Sequence, residues 1–262
     1  MADPVLGFSL VDEDTTITAG SAEANMPVTN LRTMQPAEIW QTTALSTMWV
    51  KVDLGSAKAV KVAGLFYGNA RSATQIQYEA NATDSWGAPT YDTTAVDWWP
   101  HSGLESWSRV HSFDYDSGGH TLRWHRFTVT DGTHPDGYIR AARVVLMNPW
   151  QPSGVIQYGS ALRWRQGSDA LESDGQWYHR GGAMYREWSL DLFSASKADL
   201  VTNLFDLEQQ RGSSSDIVYS ADPADSTHLH HELIYGVLAD IGDIQYVSNS
   251  IFKSTLRIRE IL

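Results

Sequence analysis

Cysteine is absent from all 262 positions. That removes disulfides, thiolate nucleophiles and cysteine zinc sites together. Long apolar runs are missing too, and no segment approaches the ~20 residues that a bilayer-spanning helix needs, so membrane insertion is not expected. Met1-Ala2-Asp3-Pro4 carries no basic stretch ahead of an apolar one. No signal peptide is read there, and folding and assembly in a bacterial cytoplasm are expected. Basic charge is scarce: 19 Lys and Arg stand against 31 Asp and Glu, for a formal net charge of −12. Residues 1–155 hold 10 basic and 16 acidic side chains and 156–262 hold 9 and 15, so each stretch stands at −6. No basic lobe hides behind an acidic one. Affinity for a phosphate backbone draws on Lys and Arg, so specific nucleic-acid binding is not expected. No glycine-rich turn ends in Gly-Lys-Ser/Thr, and no Gly-x-Ser-x-Gly elbow occurs.

Eleven tryptophans are the most unusual feature present. Large amphipathic rings suit β-sandwich cores, protein interfaces and sugar-stacking platforms about equally. The first half reads as short strands divided by turns. Val50, Val52 and Leu54 alternate with Lys51 and Asp53, a period of two, before Gly55-Ser56 breaks the run. Val60 to Tyr67, Thr74 to Ala80, Leu122 to Thr130 and Tyr138 to Met147 follow as further strands, with turns at Asp131-Gly132 and Pro135-Asp136-Gly137. Such spacing predicts a mainly β fold, an antiparallel sandwich or barrel. Asn148-Pro149-Trp150-Gln151-Pro152-Ser153-Gly154 does not continue a strand, and it divides the chain into domains 1–152 and 153–262. The second half carries one helix, about 197–211, with Ser196 as N-cap and Asp199 three residues later. Leu200, Leu204 and Leu207 share its apolar face with Val201, and Gly212 stops it. Strands at Gly182 to Phe193, Ile217 to Ser220 and Phe252 to Leu262 surround it, giving a second β-sandwich with one packed α-helix.

Several groupings carry possible chemistry. Ser194 to Lys197 and Ser250 to Lys253 are Ser-x-x-Lys tetrads, but the Ser-Asp-Asn and Lys-Thr-Gly partners of that chemistry are missing. His228, His230 and His231 with Glu232 resemble a metal cluster, the first two sharing a face if the segment is a strand; an exposed polar loop or a subunit contact is the alternative. Asp12-Glu13-Asp14 holds three carboxylates that suit structural calcium or a solvated turn. No cofactor, and no metal beyond that calcium, is expected. The segment 84–107 is the most functional in appearance. Trp86, Tyr91, Trp98, Trp99 and Trp107 are interleaved there with carboxylates and with His101; Asp97 adjoins the tryptophan pair. Aromatic faces beside carboxylates grip sugar C–H surfaces and hydroxyls together, or order a loop against a neighbouring subunit, or pack within the chain's own core. Paired carboxylates facing one cleft would be needed for a glycosidase, and nothing in the spacing of Asp97 and Glu105 demands it, so no enzyme is expected.

Pro27-Val-Thr-Asn-Leu31, Trp40 and Trp49-Val-Lys-Val-Asp-Leu-Gly55 together resemble the opening of discoidin-type, galactose-binding-like domains. Arg123 to Asp131, His134 to Ile139 and Arg143 to Leu146 resemble their closing strands. The resemblance covers about residues 20–152 and implies a jelly-roll sandwich; the version ending Asn148-Pro-Trp-Gln-Pro152 is similar to phage and prophage tail modules. Gly181-Gly182, Arg186 to Leu190, the Leu-rich helix, Asp222-Pro223 and Arg257 to Glu260 resemble minor tail proteins of the distal-tail type. That resemblance implies a structural component of a phage tail tip in the virion. It would be a homo-oligomeric ring of three or six copies touching hub and tail-tube proteins, with the first domain projecting outward. The alternative is an adhesin recognising a bacterial surface glycan.

Overall fold

Burial alternates along Phe252–Glu260 and the first part of Trp49–Gly68, whereas Arg143–Met147 and Asp216–Ser220 are buried throughout, in the computed structural model, which describes residues 3–45, 48–99, 110–152, 160–173, 176–194, 198–240, 242–247 and 252–262. The chain divides into two units, Gly7–Pro149 and Trp150–Leu262, with Met1–Leu6 belonging to the second. Accordingly β1 (Val5–Gly7) pairs within the second unit's sheet. The architecture is mainly β, as the alternation predicts, and its helices are short.

In the first unit, β2 (Thr16–Ala19), β3 (Trp49–Gly68), β4 (Gln75–Asn81), β5 (Tyr91–Asp92), β6 (Asp114–Thr130) and β7 (Arg143–Met147) form one antiparallel sheet. The two runs expected on either side of Gly55 are a single strand. Gly55 takes φ +74° and donates its N–H to Asp53 Oδ1 at 2.9 Å, so the chain turns a corner without leaving the sheet. Across that corner the register against β6 jumps from Asp53↔Trp124 to Lys58↔Leu122. Val50 and Val52 before it, Val60, Ala63 and Leu65 after it, and Ile76, Tyr78, Phe127, Val129, Val144 and Leu146 all enter one buried cluster. The sheet is therefore folded over on itself into a sandwich. Leu31 and Trp40, from the Asn-Leu and Trp pattern, are both fully buried. Asn30 donates to the Ile39 carbonyl at 2.8 Å and the Trp40 indole to that of Ser21 at 3.0 Å, so the pattern serves the core.

The second unit orders its sheet β1, β10 (Asp216–Ser220), β11 (Ile234–Asp240), β12 (Phe252–Glu260), β9 (Gln176–Ser194) and β8 (Ala161–Ser173). A π-wound segment, Ala198–Leu204, runs into the α-helix α1 (Phe205–Arg211). Leu200, Leu204 and Leu207 are buried as their spacing predicts, and Gly212 at φ +54° ends the helix. Ser196, the expected N-cap, lies outside the described residues. Phe252, Leu256 and Ile258 face inward along β12, again as expected. The histidine segment is not the strand in which His228 and His230 would share a face: Leu229–Glu232 is a helical turn, α2, because Glu232 and Leu233 donate their N–H groups back to His228 and Leu229. His228 instead pairs with Asp225 at 2.8 Å.

Candidate functional site

The residues singled out between 84 and 107 separate in space. Trp98 and Trp99 are each 2% exposed and belong to the core, so of the three alternatives for these rings the intrachain core is the one observed. Asp97 is exposed on the short strand Val96–Asp97, which pairs with Gln75 and Ile76. Trp86 is half-buried. Its indole donates to Asp84 Oδ1 at 2.6 Å, and the Arg126 guanidinium lies 4.6 Å from its ring centre. Asp84 in turn holds Lys51 at 2.8 Å, and Arg126 forks onto Glu79, so those charges are already neutralised. His101 and Trp107 lie outside the described residues. Asp12, proposed for calcium, accepts from Thr15 Oγ1 at 2.8 Å and from the N–H of Asp14, and these bonds hold its pKa below the usual carboxylate value; its carboxylate organises a turn.

Tyr91 is drawn into a different constellation, one assembled by register. Tyr78 and Phe127 face each other across β4 and β6, and Ala80 faces both His125 and, on β5, Tyr91. Period two then turns Tyr78, His125 and Tyr91 to the sandwich interior. On the earlier part of β6, Asp114 lies opposite Ala63 and His120 opposite Val60, both core residues, so these side chains also point inward. Gly119, at φ +66°, makes the turn between them; a Cβ there would fall 2.8 Å from Lys61 Cγ.

The result is a polar chain at the margin of the core. Tyr78 Oη lies 2.7 Å from His125 Nδ1 and 3.0 Å from His120 Nε2. His120 stacks on Tyr91 with centroids 4.3 Å apart, and Tyr91 donates its hydroxyl to Asp114 Oδ2 at 3.2 Å. Asp116 accepts the Gly118 N–H at 3.0 Å and approaches His120 Nδ1 at 3.9 Å. Burial drives the titration of the group. It pushes the His125 imidazole down to about 3 and lowers His120 as well, so both rings are neutral at pH 7. Burial, with Asp116 adding repulsion, lifts the Asp114 carboxyl to about 6 against the opposing bond from Tyr91. Tyr78 and Tyr91 are both held above the ordinary phenol range, again chiefly by burial. Among the described residues no Lys or Arg pairs with Asp114 or Asp116. Nor do three His, Asp or Glu side chains there converge to hold a metal ion.

The sequence offered one signal for this site. Asp114-Tyr-Asp116 places two carboxylates at period-two spacing ahead of Gly118-Gly119, but it lies before Leu122, where the alternation of β6 becomes regular.

No family model matches the chain, and no curated protein does. Solved structures do. A family 32 carbohydrate-binding module of Clostridium perfringens NanJ, in complex with galactose, is 14% identical at a TM-score of 0.42, over 53% of this chain and 97% of that one. A fucose-binding module of Streptococcus pneumoniae is 9% identical at 0.40, over 53% and 97%. A chitosan-binding module from a Paenibacillus chitosanase/glucanase is 18% identical at 0.39, over 54% and 100%.

Proposed function

We propose that the unit Gly7–Pro149 is a carbohydrate-binding module, without catalysis, whose site is formed by Tyr91, Asp114, Asp116 and His120. The observation that carries this reading is the stacked Tyr91–His120 pair flanked by two carboxylates that no cation among the described residues neutralises. Stacked rings offer an apolar face for the C–H surface of a pyranose, and carboxylates accept from its hydroxyls. The sequence resemblance of residues 20–152 to discoidin-type domains agrees with it. Calorimetric titration of the whole chain with a panel of mono- and oligosaccharides tests the reading. Tyr91→Ala and Asp116→Asn are expected to weaken binding at least tenfold, and Asp97→Ala to leave it unchanged. Binding that survives both site substitutions overturns it, as does the absence of binding by any sugar. Release of reducing sugar by the protein would overturn the non-catalytic part.

As a second reading we propose self-association through the other unit, which the ring-forming tail-tip expectation would require. Leu162, Trp164 and Met184 are 37%, 47% and 49% exposed. The pairs Leu162↔Trp188, Trp164↔Arg186 and Gln166↔Met184 put all three on one face of the β8–β9 ribbon. Light scattering of the whole chain against Trp164→Ser tests it; a monomer at high concentration in both proteins sinks it.

A further inference from the structure

Resting on the carbohydrate reading above, we infer that Tyr78, buried behind the site, is its positioning residue: the Tyr78 hydroxyl fixes the His120 imidazole, and that ring holds Tyr91 in the orientation a sugar meets. Tyr91 has little backbone support. It stands on the two-residue strand Tyr91–Asp92, where its one register partner is Ala80. Its half-buried ring is directed by a bond and a stack. The hydroxyl donates to Asp114 Oδ2 at 3.2 Å, and the ring lies on His120 with centroids 4.3 Å apart and planes 25° from parallel. A stack restrains only as firmly as the ring beneath it is held. His120 Nδ1 contributes nothing to that, since Asp116 Oδ2 is 3.9 Å away and no partner bonds this nitrogen among the described residues. His120 Nε2 lies 3.0 Å from Tyr78 Oη, the one hydrogen bond that the ring makes among those residues. Without it the imidazole is left to its last torsion, which is broad and roughly two-fold.

Tyr78 is itself firmly anchored. It is 3% exposed, its ring packs on Phe127 with centroids 5.0 Å apart, and its hydroxyl lies 2.7 Å from Nδ1 of the fully buried His125. The bridge also fixes where hydrogens sit. Burial keeps both imidazoles neutral at pH 7, and a phenol carries a single hydrogen. One imidazole nitrogen therefore receives the Tyr78 hydrogen, and the other donates its own to the Tyr78 oxygen. The two histidines are locked as a complementary pair, each in one tautomer. Phenylalanine at this position would keep the ring and its contacts with Phe127 and Tyr91, and remove the bridge alone.

Tyr78→Phe in the whole protein separates the bridge from the packing. Glucose, galactose, mannose, fucose, N-acetylglucosamine and N-acetylgalactosamine are titrated calorimetrically at pH 7, and the imidazole nitrogens of His120 are followed by nuclear magnetic resonance. The parent is expected to show a single His120 tautomer. Tyr78→Phe is expected to show an average of two and to weaken the bound sugar about fivefold or more, the scale of one hydrogen bond. Phe127→Leu loosens the same ring without touching the bridge, and should change neither readout. Circular dichroism checks the fold of both variants. If Tyr78→Phe binds as tightly as the parent, or if it and Phe127→Leu lose affinity alike, the positioning inference falls and the carbohydrate reading stands. Averaged His120 nitrogens in the parent overturn the inference as well, whether or not the variant folds. If none of the sugars binds the parent, both fall.

Discussion

Arg186 and Glu260 form an ion pair sealed inside the second unit, 1% and 4% exposed. They lie one residue beyond the Glu187↔Arg259 pairing of β9 and β12. Arg186 Nε reaches Glu260 Oε1 at 2.9 Å, Nη2 contacts the same oxygen, and the Arg186 backbone N–H reaches Oε2 at 2.9 Å. Nη1 continues to the carbonyls of His230 and His231 at 2.8 and 2.9 Å, which ties α2 to the sheet. Glu260→Ala leaves a guanidinium buried opposite nothing, an arrangement that costs roughly 3–5 kcal/mol. The pair itself contributes far less than that, because both ions lost their hydration on folding. Replacing both members, Arg186→Met with Glu260→Leu, is therefore expected to restore stability to within about 1 kcal/mol of the parent. Hydrogen exchange of peptides from β9 and β12 reads the effect locally. At about 1.4 kcal/mol per decade, amides protected by this unit should exchange roughly 10²- to 10³-fold faster in Glu260→Ala and close to the parental rate in the double variant. Two results refute the reasoning: a single substitution within about 1 kcal/mol of the parent, or a double variant less stable than both singles.

Trp98→Ala should lower the stability of the first unit by about 3–5 kcal/mol in urea unfolding, because a ring 2% exposed leaves a cavity. Gly68→Ala should act on the same contact, since its Cβ would fall 2.6 Å from Trp98 Cζ2. Leu204→Ala, at a fully buried position of the helical face, should cost the second unit about 2–5 kcal/mol by the same measurement. Acid should destabilise the first unit through His125. Its folded pKa is pushed down to about 3 by burial, below the unfolded value near 6.5, so the unfolded chain takes up the proton first. The stability is complete above pH 6.5 and falls as pH drops toward 3, by roughly 4 kcal/mol. Asp114, raised to about 6, works in the opposite direction and gains stability as pH falls from about 6 toward 4, which blunts the loss without reversing it. Thermal melts across pH 3–7 should show the decline, and His125→Phe should flatten it.

Period and capping were legible in the sequence wherever the local pattern decided the outcome. The inward faces of β12 and of the Leu200, Leu204 and Leu207 helix follow from spacing alone, and Gly212 stops the helix as a residue free to take positive φ should. Gly55 was ambiguous for a physical reason. A glycine between two alternating runs marks a turn or a corner, and only the partner strand decides which; here β6 pairs on both sides and keeps the chain in the sheet. Trp98 and Trp99 were misleading in a related way. Adjacent residues of a regular strand face opposite sides, so a buried pair is not expected, but these two follow the strand Val96–Asp97 and escape its alternation. The site itself is the least local feature of the molecule. Tyr78 meets residues 42 and 47 positions away, and the meeting depends on a register in which a one-residue slip turns Tyr78 or His125 to solvent. No sequence window contains that information. What the window does contain is Asp114-Tyr-Asp116, two carboxylates at alternate positions, and only the pairing of β6 with β3, Asp114 opposite Ala63, turns the first of them toward the core.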